Sequence, residues 1–80
     1  LNSMAVVERF QTITVQSRNE DPSEINSLVN SALSGIDASK VESVNITPVY
    51  STILENNSIL QGYIGIILYK TNIWLKPKRI

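Results

Sequence analysis

The 80-residue chain contains neither cysteine nor histidine. Without cysteine it has no disulfide framework and no thiolate chemistry. Without histidine it lacks the commonest metal ligand and the commonest general base. Two acids that lie close in sequence, Asp21 and Glu24, are explained more simply as residues at a helix start than as a catalytic carboxylate pair. We therefore predict a protein that is not an enzyme, with no catalytic residue, no cofactor and no metal site.

The chain also has no apolar run near the ~18 residues that a membrane-spanning helix requires. Its net charge is zero, but the bases gather late in the sequence. Eighty residues make one small domain, 1–80, in which residues 1–3 could be vector-derived ahead of a native Met4. A chain this short buries only roughly 60% of its unfolded surface, so self-association is a common way to gain stability.

The first strand is predicted from Val6 to Ser17. Val7, Ile13 and Val15 share one face, whereas Val6 and Phe10 fall on the other. This phase slip near Gln11 predicts a β-bulge there, or a strand that begins only at Thr12.

A helix is predicted from Pro22 to Ser34. Asp21 is its N-cap, Glu24 closes a capping box, and Gly35 ends it. Apolar residues recur at helical spacing after Pro22, which predicts one face packed on a sheet. The residues expected to be buried against the hairpin are Leu28, Val29, Ala32 and Leu33.

A long β-hairpin is predicted to follow, with strands at about 41–54 and 59–75 around a polar turn at 55–58. Pro48 suits an edge strand and predicts that the first arm divides into two segments. A four-residue turn would place Tyr50 opposite Tyr63 and Ile46 opposite Ile67. The predicted fold is α+β, with order βαββ: one short helix packed on a three-stranded, mainly antiparallel sheet.

The third strand carries apolar side chains on both of its faces. A single short helix can cover only one face of a sheet, so the other face is expected to meet a partner. We predict a homo-oligomer with candidate interface residues Tyr63, Ile64, Ile66, Ile67, Leu68 and Tyr69.

An alternative function is a small module that binds nucleic acid or another anionic partner. Aromatic residues on an open sheet can stack on bases, and basic residues near the C-terminus could contact phosphate. The first two strands lack the basic residues that such a surface needs, so a role in the core or an interface is favoured. The candidate anionic-partner contacts are Lys70, Lys76, Lys78 and Arg79.

Three short motifs give the chain a family resemblance. Gly35-Ile36, then Pro48-Val49-Tyr50, then Gly62-Tyr63 together resemble the central part of SIMPL-family domains over residues 25–75. The resemblance implies an α+β domain without known enzymatic activity. Its bacterial members are commonly periplasmic or envelope proteins, some form large rings, and an animal member interacts with a signalling kinase. The family's second helix and final strand have no counterpart here, so the chain would be a half or reduced relative.

The run from Tyr63 to Lys70 is also similar to the last strand of small βαββ proteins of Firmicutes and their phages, sporulation-associated ones included. The length of those proteins suits this chain better. The SIMPL resemblance implies a periplasmic or envelope location if a leader has been removed, and the cytoplasm is the alternative.

Overall fold

The computed structural model describes residues 5–54 and 57–75, which form three strands and one α-helix. The strands form one antiparallel sheet in the order β1-β3-β2, with the helix packed on one face. The predicted α+β fold with βαββ order is therefore confirmed. The elements are β1 (Ala5–Ser17), α1 (Pro22–Leu33), a 3-10 turn (Ala38–Lys40), β2 (Val41–Leu54) and β3 (Asn57–Leu75).

Strand β1 pairs with β3 along its whole length without a register shift, from Ala5 opposite Leu75 to Ser17 opposite Tyr63. The predicted bulge near Gln11 is wrong, and so is the later start at Thr12. The phase slip has another cause, because β1 carries apolar side chains on both faces. The strand ends where the buried Ser17 hydroxyl accepts a hydrogen bond from the Tyr63 amide, 3.2 Å away.

Of the two features predicted for the start of α1, the N-cap forms and the capping box does not. Asp21 is the N-cap and accepts a hydrogen bond from the Ser23 amide, with Pro22 at the first helical position. The capping box with Glu24 does not form, because the Asp21 amide donates instead to the side-chain oxygen of Asn19. The helix ends at Leu33, one residue earlier than predicted.

The core lies where α1 crosses β1 and β3. Within the described residues the buried apolar side chains are Ile25, Val29 and Ile67, the last of them 0% exposed. Ala32 and Leu33 pack against this cluster as half-buried residues. Leu28 does not join it and stays 36% exposed, so the prediction that Leu28 is buried is wrong. It lies on the flank of a helix whose buried stripe is narrow.

The hairpin has a different register from the predicted one. Tyr63 pairs with Pro48, Tyr50 with Leu60, and Ile46 with Gly65. The strands pair as far as Leu54 opposite Asn57, so the turn is shorter than four residues and its tip lies outside the described residues. From Val44 to Val49 the shift is two residues, which preserves the face of each side chain. At Tyr50 the shift is three residues, because Gln61 is an extra residue on β3 there. Strand β2 runs through Pro48 without a break, and it is an edge strand, as that proline indicated.

Gly65 allows the helix to approach β3 closely. A Cβ atom at this position would lie 2.7 Å from the Val29 Cγ2 atom and 3.1 Å from the Val15 Cγ2 atom. Both distances are shorter than ordinary van der Waals contacts between carbon atoms. The absence of a side chain at Gly65 therefore fixes where Val29 seats on the sheet.

We expect Gly65→Ala to lower the free energy of unfolding by about 1–3 kcal/mol, because the added methyl group overpacks the contact with Val29. Gly35→Ala is the control. Its Cβ would meet only the Ala32 carbonyl oxygen at 3.7 Å, and its φ is not positive, so the change should be about 0.5 kcal/mol or less. Urea denaturation at one fixed protein concentration measures both. Equal effects at the two glycines would contradict the packing argument.

Candidate interaction surface

The sheet face opposite α1, which we call the open face, is not covered by any described residue of the chain. Side chains alternate along β3, and because Ile67 points into the helix-side core, its neighbours Ile66 and Leu68 point the other way. The centre of the open face is the apolar row Ile64, Ile66 and Leu68. Polar residues flank this row on both sides: Thr12, Thr14 and Gln16 on β1, and Ser43, Asn45 and Thr47 on β2.

The predicted interface residues divide between the two faces. Ile64, Ile66 and Leu68 lie on the open face, where Ile66 is 41% exposed. The prediction that Ile67 is an interface residue is wrong. Ile67 is fully buried under α1 and cannot form the centre of an exposed interface in this conformation.

The two predicted interface tyrosines also lie on the helix side, where both are half-buried against the core. The hydroxyl of Tyr63 donates to the Glu20 carbonyl oxygen at 3.2 Å. The hydroxyl of Tyr69 lies 3.0 Å from the Gln11 side-chain oxygen. These tyrosines therefore link β3 to the other parts of the monomer.

The open face has a second apolar region near the start of β1. Val6 lies directly opposite Trp74, and Phe10 lies opposite Lys70. Phe10 is 61% exposed and Trp74 is 63% exposed. Neither Phe10 nor Trp74 was predicted as an interface residue, although the placement of Val6 and Phe10 on the same face of β1 was the signal that could have found this region.

A cluster of opposite charges lies beside Phe10 on the open face. The Lys70 ammonium group is 3.1 Å from the Glu42 carboxylate and 3.8 Å from that of Glu8, and Lys40 lies 3.1 Å from Glu8. Lys70 also lies 5.4 Å from the centre of the Phe10 ring, within range of a cation–π contact. The positive charge of Lys70 is therefore already matched by protein groups.

These contacts shift two pKa values in the directions that favour the charged forms. The hydrogen bond from Lys40 lowers the pKa of Glu8 below its usual 4.5. The hydrogen bond to Glu42, supported by the charges of Glu42 and Glu8, raises the pKa of Lys70 above its usual 10.5. Both shifts stabilise the ionised forms of Glu8 and Lys70.

The residues predicted to contact an anionic partner do not form a basic patch within the described residues. Lys70 lies within the charge cluster, and Lys76, Lys78 and Arg79 lie outside the residues that the structure describes. The aromatic residues are also divided: Phe10 and Trp74 are on the open face, and the three tyrosines are on the helix side.

A polar cleft of about 420 Å³ lies where β1 ends beside β3. Arg18 is the only ionisable residue in its lining, beside Ser17 and Gln16. A serine nucleophile needs a neighbouring base, and the lining residues supply none. The residues of this cleft are not arranged for acid–base or nucleophilic chemistry.

No protein-family model, curated protein or solved structure matches the chain. The resemblance to the SIMPL family therefore stays a prediction. In residues 5–54 and 57–75, α1 is far too short to cross a bilayer, and no helix there is suited to do so.

We expect the charge cluster to make stability depend on pH at both extremes. Because the pKa of Glu8 is lowered by folding, its contribution is present above pH 4.5 and is lost as the pH falls through the folded value. Because the pKa of Lys70 is raised, its contribution is present below pH 10.5 and is lost as the pH rises through the folded value.

The measurement is the urea midpoint as a function of pH. Glu8→Gln should make the acid side of the profile shallower, and Lys70→Met should do the same on the alkaline side. Glu24→Gln, a carboxyl change outside the cluster, is the control. A profile that Glu8→Gln leaves unchanged would contradict a role for the cluster in stability.

Proposed function

We propose that this chain is a non-enzymatic, self-associating interaction domain that uses its open face to bind another copy. The observation that carries this proposal is the small size of the core. Only Ile25, Val29 and Ile67 are buried apolar side chains in the part of the chain that the structure describes. Fully burying an aliphatic side chain stabilises a fold by about 1.5–3 kcal/mol. Three such residues contribute little against the conformational entropy that 80 residues lose on folding.

The exposed area supports the same conclusion. The chain exposes 6405 Å², whereas a folded monomer of its mass exposes about 4,800 Å². Its radius of gyration is 18.7 Å, compared with about 12 Å for a compact domain of this length. An assembly that lowered the exposed area of each chain to about 4,800 Å² would bury about 1,600 Å² per subunit. That buried area is within the range of obligate homodimers.

The open face has the composition of an interface. An apolar row, Ile64, Ile66 and Leu68, is surrounded by polar side chains such as Thr14 and Asn45. Interfaces commonly have an apolar centre and a polar rim. A sheet face of this kind can pack on the same face of a second sheet about 10 Å away.

Two observations support the proposal that the domain is not an enzyme. The polar cleft beside Ser17 holds no base for a nucleophile. The charged groups Glu8, Lys40, Glu42 and Lys70 satisfy one another rather than converging on an empty space. The resemblance to SIMPL domains, some of which form rings, is in keeping with a role in assembly.

The alternative, a nucleic-acid or anionic-partner module, has less support. Phe10 and Trp74 are exposed on one face, but the lysine beside them, Lys70, is paired with Glu42. Single-strand binding requires a positively charged groove alongside the stacking residues.

We expect Ile66→Lys to reduce the molar mass measured by light scattering after size-exclusion chromatography. A lysine at the centre of the open face would be desolvated in the interface, whereas in the monomer it could reach water. Ser27→Lys adds the same charge on the exposed outer side of α1 and should leave the mass unchanged. Circular dichroism checks that both variants are folded.

A wild-type protein that is monomeric over a wide range of concentration would overturn this proposal. Titration of labelled RNA at two salt concentrations tests the alternative. Steeply salt-dependent binding that is lost when Lys76, Lys78 and Arg79 are neutralised would favour the nucleic-acid module instead.

A further inference from the structure

The two edges of the sheet differ in how they are protected. Natural edge strands are commonly protected from pairing by bulges, proline or charged side chains. The β2 edge has register shifts near Glu42, Val49 and Ile53, and it contains Pro48. The β1 edge has no register shift, no proline, and no charge from Phe10 to Ser17. Its centre, Thr12–Val15, is β-branched throughout, which is the composition most suited to strand pairing.

The helix lies near the unprotected edge. It packs mainly on β1 and β3, and its residue Leu33 lines an apolar groove of about 280 Å³ with Val41 and Val44 of β2. Leu28 is five residues before Leu33, which is about 140° around the helix axis. Leu28 is therefore on the opposite flank, above β1 and directed away from β2. This exposed leucine projects toward the space beyond the β1 edge.

We propose that β1 pairs in antiparallel orientation with β1 of a second copy, around a two-fold axis that passes through the segment Thr12–Val15. The two three-stranded sheets would become one six-stranded sheet with both helices on the same face. Each helix lies over the boundary between β1 and β3, so the two helices would be two strand spacings apart, or about 10 Å. Helices pack against each other at about 8–10 Å. The pairing would therefore bring the two Leu28 flanks into contact.

The same geometry argues against pairing through β2. Two copies joined at that edge would hold their helices four strand spacings apart, about 19 Å, with a gap between them. That gap would leave Val44 and Ile46 uncovered and would give Leu28 no partner. The β1 edge is the one at which strand pairing and helix packing can be satisfied together.

This edge interface is separate from the open face. A partner at the β1 edge lies in the plane of the sheet, whereas a partner on the open face is stacked against that plane. The β1 pairing rests on the proposed function in one respect, namely that the partner is a second copy of the chain. The two can be tested separately, since Ile66 belongs to the open face and Leu28 to the edge.

The first experiment uses cysteine cross-linking, because the chain has no cysteine of its own. Thr12→Cys and Thr14→Cys are made one at a time in the Ile66→Lys background, which removes open-face association, and are treated with a short bismaleimide at low protein concentration. Both threonines are exposed and lie at the proposed two-fold axis. Each variant should yield a covalent dimer. Thr47→Cys, which is equally exposed on the β2 edge, is made in the same Ile66→Lys background as the matched control and should stay monomeric on a denaturing gel.

The second experiment is the molar mass of Leu28→Asp, which should be half that of the wild type. Ser27→Asp, the neighbouring residue on the outer side of α1, is the matched control and should keep the wild-type mass. Leu28 is partly exposed, so the aspartate should leave the fold intact, as circular dichroism would verify.

The outcomes separate the two interfaces. Dissociation by Leu28→Asp, with cross-linking at Thr12 or Thr14, supports the β1 pairing whatever Ile66→Lys does. An oligomer that resists Leu28→Asp and does not cross-link through β1 overturns the edge pairing and leaves the open-face proposal intact. Cross-linking through Thr47→Cys alone overturns it in favour of the β2 edge. A monomeric wild type overturns both proposals.

Discussion

The contact of Val29 with Gly65 determines how the rest of the molecule is arranged. The missing side chain at Gly65 lets α1 settle onto the sheet, with Ile25 and Ile67 completing the buried cluster. Because this point lies between β1 and β3, the helix covers those strands and leaves the helix-side residues of β2 exposed. A helix of 12 residues also covers only a small part of a 19-residue central strand. The position and length of one helix thus decide which apolar surfaces remain for a partner.

The open face has an apolar centre with polar side chains on both sides of it. Its aliphatic row is narrow, and polar side chains on both neighbouring strands keep the apolar patch small. The charge cluster around Lys70 lies between this row and Trp74. Exposed ion pairs of this kind contribute little to stability. Their larger effect would be on register, because a second copy that slid along the face would bury charges away from water.

Local sequence signals predicted the elements well and their pairing less well. Asp21 and Pro22 marked the helix start, and Pro48 marked β2 as an edge strand. The hairpin register was missed, because it depends on the turn and on the extra residue at Gln61, and periodicity is insensitive to a shift of two residues. Phe10 was placed on the correct face of β1, but its position there was wrongly attributed to a bulge. A strand with apolar groups on both faces looks, in sequence alone, like one that changes phase at a bulge.

The placement of β3 between β1 and β2 explains why the open edge belongs to β1. Strand β3 pairs on both sides and has no free edge, whereas β1 has the regular geometry of an inner strand without a second neighbour. An unprotected, β-branched edge is a hazard if its pairing is open-ended, because it can add strands without limit. A two-fold pairing removes that hazard, since each β1 has one free edge and the two edges satisfy each other. Closure of this kind would make self-association the means by which the chain avoids aggregation.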